Sequence, residues 1–180
     1  ELISGIREKK PLGNTQRRLA WYIVVGTLPA MVAGLAFEDV VEKSLRSPLV
    51  TVFTLTTLAA FLMWAERKSL QSRDIEHYTW GDSLWIGFSQ ALALIPGVSR
   101  SGITMSVALF RDSTRTSAAR FSFLLSTPII VGAGLLQALR LVESVNLGSR
   151  NLDAVHLEAM IVGFGCAALS GFLCIRYFLR

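Results

Sequence analysis

Residues 83–110 read SLWIGFSQALALIPGVSRSGITMSVALF. From Leu84 to Val98 the stretch is apolar apart from Ser89 and Gln90, apolar character resumes from Ile103 to Phe110, and a turn, Pro96-Gly97-Val98-Ser99-Arg100-Ser101-Gly102, divides the two arms. The second arm has only eight residues, 103–110, before Arg111. A hydrocarbon layer of roughly 30 Å takes about 20 helical residues, so neither arm is a comfortable span. Pro96 lacks an amide hydrogen and Gly97 tolerates unusual dihedrals, so a helix ends here and a turn begins. A broken backbone at membrane depth is tolerated only where protein or a water-filled cavity serves its polar groups. The stretch therefore predicts a re-entrant helical hairpin that dips into a bilayer and returns.

The surrounding sequence supports a bilayer more through charge distribution than through composition. The apolar fraction of 52% is close to that of soluble proteins. Yet residues 19–37, 48–65, 121–139 and 159–175 carry no Asp, Glu, Lys or Arg, and each run has at least 17 residues. Four such helices are hard to house in the core of a 180-residue soluble domain. The expected fold is an all-α integral membrane protein, a multi-pass bundle in one membrane domain over 1–180. The first eighteen residues are polar and basic, so no signal peptide is read there. With Glu1 at the start and Arg180 directly after an apolar helix, the chain is expected to be an internal piece of a longer protein. Cys166 and Cys174 share one apolar run and suggest neither a disulfide framework nor a metal site.

The net charge of +5 is spread over the loops, which argues against nucleic acid as a partner. If 83–110 enters and returns on one side, thirteen Lys and Arg fall on that side and four on the other, with Arg100 between. The richer side holds Arg7, Lys9, Lys10, Arg17, Arg18, Arg67, Lys68, Arg73, Arg111, Arg115, Arg120, Arg176 and Arg180. The poorer side holds Lys43, Arg46, Arg140 and Arg150. A crossing segment would give ten against seven. The positive-inside rule favours the hairpin and makes its root cytoplasmic.

The turn has its own chemistry. Ser99 and Ser101 are good N-cap residues for a helix starting near Gly102. The unpaired amides and positive dipole end of that helix suit a phosphate. Arg100 adds a permanent cation with a planar fork of donors. Thr104 could present a hydroxyl one turn on. Together these residues predict a pocket for a phosphate or carboxylate at membrane depth. The plain alternative is that the serines only cap a loop helix while Arg100 reaches to the headgroups. An Arg at membrane depth is by default a functional residue.

Two spans also echo one another. Val25-Gly26, Ala30 and Gly34 match Val162-Gly163, Ala167 and Gly171, displaced by 137 residues. This is either ordinary small-residue helix packing or an inverted repeat, an architecture that places binding sites where the two halves meet.

The segment Ala93-Leu94-Ile95-Pro96-Gly97-Val98-Ser99-Arg100-Ser101-Gly102-Ile103-Thr104 resembles the second signature of the bacterial undecaprenyl-diphosphate phosphatases, also called bacitracin-resistance proteins. Ala118-Ala119-Arg120-Phe121-Ser122-Phe123-Leu124-Leu125 with Pro128, the stretch 26–29 and Glu66 look similar too, so the resemblance covers nearly the whole chain. It implies a membrane hydrolase of the bacterial inner membrane that removes the terminal phosphate of undecaprenyl diphosphate and so recycles the cell-wall lipid carrier. It implies Ser99 and Arg100 as the catalytic pair. Gly97, Ser101, Gly102 and Thr104 follow as substrate-binding residues. The implied fold has two inverted halves, each with a re-entrant hairpin. Homo-oligomerisation is compatible with it.

The family's glutamate-rich first signature, with its Ser-Ser and His, has no counterpart here, and its last helix is read as missing too. The acids near spans are read as Glu38, Asp39 and Glu66 at their ends, with His77 and His156 in loops. A divalent cation, Mg or Ca, is therefore expected through residues absent from this chain, with no metal ligand among those present. By itself the piece is expected to be inactive. Ser99 is read as holding a phosphate oxygen rather than attacking, because a nucleophilic serine needs a neighbouring base. Broken helices with an anion-friendly tip also occur in transporters, so a transporter or flippase of a lipid phosphate or organic anion is the alternative function.

Overall fold

The computed structural model describes residues 15–44, 47–146 and 154–178. Among the described residues six α-helices follow one another: α1 Thr15–Ser44, α2 Pro48–Lys68, α3 Trp80–Ala91, α4 Arg100–Phe110, α5 Arg115–Asn146 and α6 Ala154–Phe178. Short 3-10 turns cover Ile75–His77 and Leu92–Leu94. No named strand occurs among the described residues. Arg7, Lys9, Lys10, Arg46, Arg150 and Arg180, which entered the charge count, lie outside the described residues. So do the side chains of Glu38, Asp39, Lys43 and His156.

Among the described residues three helices are long and apolar enough to cross a membrane, over Thr15–Phe37, Pro48–Lys68 and Arg115–Glu143. The apolar part of α6, Glu158–Cys174, is shorter. Large apolar side chains such as Leu49, Phe53, Val131, Leu135 and Phe164 stand exposed along these helices. In water such a surface would drive association; against lipid tails it costs nothing. The chain is an all-α membrane protein.

The first unit runs to Gly132 and carries the packed core; the second holds the rest of α5 together with α6. In the first unit α1 packs along α3 in the same direction. Tyr22 meets Trp80 edge-on at 4.7 Å, the Ser83 hydroxyl donates to the Tyr22 carbonyl, and Gly34 faces Leu94. Between these contacts the backbones nearly touch: a Cβ on Gly87 would fall 2.1 Å from the Gly26 carbonyl oxygen. The small residues of α1 are thus used to bring α3 close. In α6, an added Cβ on Gly163 or Gly171 would meet no described atom within 4 Å.

Helices α3 and α4 run antiparallel, because the start of one and the end of the other are clamped together. Asp82, in the first turn of α3, is 1% exposed and accepts from Arg73 Nη2 at 2.9 Å and from Arg111 Nε at 2.7 Å. Its Oδ2 also accepts from the Thr79 amide and hydroxyl, both at 2.8 Å, within a capping box. Arg73 spans further, donating to the carbonyls of His77 and Arg111. The connecting strand of loop is pinned as well: the amides of Ser72 and Arg73 donate to the Asp112 carbonyl, and Thr114 N–H donates to the Arg73 carbonyl. Below lies the main apolar cluster, in which Tyr78, Ile86, Ala108, Leu109, Ala118, Phe121 and Leu125 are buried. The rings of Tyr78 and Phe121 meet at 4.9 Å, tilted by 59°.

Asp82 corrects the inventory of acids near the apolar segments, which named only Glu38, Asp39 and Glu66. Its buried carboxylate persists because every lone pair finds a donor, two of them cationic. Burial pushes its pKa up, but the hydrogen bonds from Arg73, Arg111 and Thr79 outweigh that and hold it at about 2. The surface pair of Arg115 with Glu66, at 2.5 Å, is far more exposed and contributes little.

Replacing Asp82→Asn is expected to destabilise the protein by about 2 kcal/mol, the loss of charge-assisted hydrogen bonds from two part-exposed guanidinium groups. The folded pKa is depressed, so the stabilisation is present above the unfolded value near 3.8 and is lost as pH falls towards about 2. Unfolding of the full-length protein in mixed micelles, followed from pH 5 to pH 2, should show an acid limb in the parent that is shallower in the variant.

Candidate functional site

The helical part of the first arm ends earlier than Pro96 alone would require. Helix α3 stops at Ala91, tightens into the 3-10 turn Leu92–Leu94, and leaves Ile95 extended at φ −70°, ψ 126°. A residue before proline is driven to that region by contact with the proline Cδ. The two helical arms, of 12 and 11 residues, are then about 18 Å and 16 Å long, each short of a full crossing.

The tip is fixed against α2. Gly97 has φ +87°, and a Cβ there would lie 2.2 Å from Thr54 Oγ1 and 2.7 Å from the Thr51 carbonyl oxygen. The position requires glycine for its dihedral and for its space. Thr54 Oγ1 donates to the Pro96 carbonyl at 2.7 Å, sharing its proton with the Val50 and Thr51 carbonyls of its own helix. One turn on, Leu58 lies against Gly102; further along, Phe61 and Trp64 pack on Phe110. Helices α2 and α4 therefore run side by side in the same direction. The tip lies level with Thr54, about 9 Å from the first residue of α2 and about 15 Å from the level of Trp64.

Ser99 caps α4: its Oγ accepts from the Gly102 amide at 3.2 Å, with the residue itself extended. The helix starts at Arg100, two residues earlier than Gly102, so Ser101 sits inside the first turn and does not cap it. The Ser101 hydroxyl is nevertheless 3.4 Å from that of Ser99, and the pair lies at the open end of the helix. Arg100 is half-buried, and its guanidinium makes no hydrogen bond or ion pair among the described residues. The buried charge among the described residues, Asp82 at the root, is paired, so this free fork of donors is the distinctive feature of the tip. Thr104 is fully buried, and its hydroxyl donates back to the carbonyls of Arg100 and Ser101 at 2.8 and 3.2 Å. It braces the first turn from behind and does not join the Ser99–Ser101 pair.

The tip thus offers two hydroxyls, a free guanidinium and the unpaired amides of a helix start, all on a rigid support. That set can hold a phosphate group and neutralise its charge. Among the described residues no three His, Cys, Asp or Glu side chains gather in a way that could hold a metal ion. The residues present do not fit a divalent cation. His77 is exposed in its turn, and Cys166 and Cys174 are free thiols. The clamp on Asp82 was missed in the sequence, although Thr79-x-x-Asp82 ahead of an apolar run is a capping-box signal.

A helical membrane protein with an anion-ready break in a hairpin is the class that the fold and the tip define. A family model described as bacitracin resistance protein BacA matches residues 1–180, and the chain belongs to that family. It is 46% identical over 180 residues to undecaprenyl-diphosphatase 2 of Stutzerimonas stutzeri (strain A1501), covering 98% of this chain and 63% of that protein. Identity to the undecaprenyl-diphosphatase of Hahella chejuensis (strain KCTC 2396) is 46% over 167 residues, 93% of this chain and 60% of the other. With that of Moorella thermoacetica (strain ATCC 39073 / JCM 9320) it is 43% over 180 residues, 99% of this chain and 64% of the other. The chain spans about three-fifths of the length of these curated relatives.

Gly97→Ala is expected to displace the tip from α2 and to cost about 2 kcal/mol or more, since overpacking and a left-handed dihedral act together. Thr54→Val removes the hydrogen bond to Pro96 while keeping the volume, and should cost about 1 kcal/mol. Equal unfolding midpoints for parent and Gly97→Ala would contradict the contact.

Proposed function

We propose that this chain is the substrate-clamping part of an undecaprenyl-diphosphate phosphatase in the inner membrane of a bacterium. The observation that carries this reading is the guanidinium of Arg100, unpartnered among the described residues, in the residue between the paired hydroxyls of Ser99 and Ser101. The names of the relatives supply the substrate: a polyprenyl diphosphate with a lipid tail and two linked phosphates.

Hydrolysis of the anhydride gives a prenyl phosphate and inorganic phosphate. Its transition state places charge on the equatorial oxygens of the transferred group. On this reading Arg100 grips two of those oxygens, and the amides at the start of α4 share the load. Ser99 and Ser101 orient the diphosphate through hydrogen bonds. Among the described residues neither a His nor a carboxylate is bonded to Ser99, which argues for binding over covalent attack. Gly97 and Gly102 act through their small size, letting the backbone approach α2, while Thr104 holds the first turn. A divalent cation belongs to carboxylates elsewhere in the whole protein, and no step of this mechanism passes through one.

The arginine-rich root of the hairpin, with Arg18, Arg67, Arg73, Arg111 and Arg115, is placed on the cytoplasmic side by the positive-inside rule. The tip, nearer the first residue of α2 than Trp64, then lies towards the outer face. A carrier lipid whose headgroup sits at that face would reach it. The echo between α1 and α6 fits an inverted repeat whose second hairpin lies in the length that the relatives have and this chain does not span.

The test is phosphate release from a polyprenyl diphosphate by the full-length protein in detergent. Arg100→Lys keeps the charge but loses the planar fork, and should lower kcat by about 100-fold. Unchanged turnover would defeat the clamp, and vectorial lipid movement without phosphate release would replace the hydrolase with a transporter.

A further inference from the structure

At the other end of the hairpin from Ser99 and Arg100, α1 and α3 leave an open cavity of about 350 Å³ lined by Arg18, Tyr22, Thr79 and Trp80. Tyr22 is buried and forms its floor, with the Trp80 ring edge-on to it. Arg18 is exposed, donates from Nη2 to the Tyr22 hydroxyl at 3.1 Å, and holds its guanidinium carbon 5.9 Å from the Tyr22 ring centroid. One donor of the fork is so used, which fixes the group in place and leaves its other N–H groups to a ligand.

The electrostatics of the cavity favour an anion. The amides of Trp80 and Gly81 are the first two of α3 and make no hydrogen bond among the described residues, whereas those of Asp82 and Ser83 are taken by Thr79. Among the described residues the nearby carboxylate of Asp82 is already neutralised by Arg73 and Arg111. A lane of apolar side chains also leads away from the cavity. Trp80, Leu84 and Phe88 follow one another at a spacing of four along one face of α3, and are 40%, 38% and 60% exposed. A cation flanked by amphipathic aromatics, at the head of an exposed apolar lane, is the recognition chemistry of a lipid with an anionic head.

We propose that this cavity binds an anionic glycerophospholipid of the leaflet at the root of the hairpin. Its phosphate is held by Arg18 and the first amides of α3, and an acyl chain lies along Trp80, Leu84 and Phe88. The site is separate from the Ser99–Arg100 tip and does not depend on the phosphatase reading. Its ligand stays bound and is not turned over. By bracing α1 against α3 it would steady the arm that carries the tip.

The full-length protein, with Trp80 as its single tryptophan and the others replaced by Phe, is reconstituted in phosphatidylcholine vesicles. These contain phosphatidylglycerol brominated near the top of its chains, or brominated phosphatidylcholine at the same mole fraction. Trp80 quenching should report an association about fivefold stronger for phosphatidylglycerol, the effect of one basic residue at an anionic lipid. Arg18→Gln should bring the ratio close to one, and Arg18→Lys should keep most of it. Equal quenching by the two lipids in the parent overturns the proposal, and does so whether or not Arg18→Gln folds. A preference that survives intact in a folded Arg18→Gln protein overturns it too, as does displacement of the lipid by millimolar inorganic phosphate, which would assign the cavity to a soluble anion.

Discussion

A buried carboxylate at the root of a hairpin governs the rest of this structure. Asp82 is removed from water at the point where α3 begins, and a charge so placed must be paired or it drives the segment apart. Its partners come from far along the chain: Arg73 from the preceding loop and Arg111 from the end of α4. Satisfying Asp82 therefore brings both ends of residues 82–111 to one place. The backbone bonds from Ser72, Arg73 and Thr114 repeat the same closure without side chains. Once the root is closed, the polar turn at 96–101 has to lie at the far end of two short helices.

Close backbone approach then fixes where that far end lies. Gly26 against Gly87 ties the outgoing arm to α1, and Gly97 against Thr51 and Thr54 ties the turn to α2. Packing of this kind suits a bilayer, where apolar surface alone gives helices no reason to associate. The turn is held from two sides, so the start of α4 does not have to be ordered by a ligand. Preorganised donors of this sort favour a developing negative charge most strongly, because nothing has to move when the charge appears.

The two ends of the hairpin differ in how their cations are used. At the root, Arg73, Arg111 and Arg115 are engaged with Asp82 and Glu66. At the tip, the Arg100 guanidinium is free among the described residues. Under the function proposed above, the ligand of that free cation is a lipid diphosphate. Among the described residues no group of His, Cys, Asp or Glu gathers that could hold a metal ion, and the chain spans about three-fifths of the length of its relatives.

Much of this was readable from local pattern. Charge-free runs marked the helices, because a bilayer excludes charge over a fixed length. Pro96, Gly97 and the Ser99 cap marked a break followed by a new helix, because each acts on its own backbone. Arg100 stood out because charge at depth needs a reason. What the sequence could not show was anything decided by distant partners. The role of Asp82 rests on residues 9 and 29 positions away, the need for Gly97 rests on Thr51 and Thr54, and the cavity at Arg18 exists only where α1 meets the start of α3. The hydroxyl of Thr104, which in the sequence seemed to face a ligand, turns to its own helix because burial leaves it only the backbone carbonyls. By itself the sequence determined which segments are helical, where they break and which cation lies in the break, since those follow from periodicity, proline and charge. Only the tertiary structure decided which of those polar groups are already paired and which remain free for a ligand, since pairing depends on what the fold brings within hydrogen-bond reach.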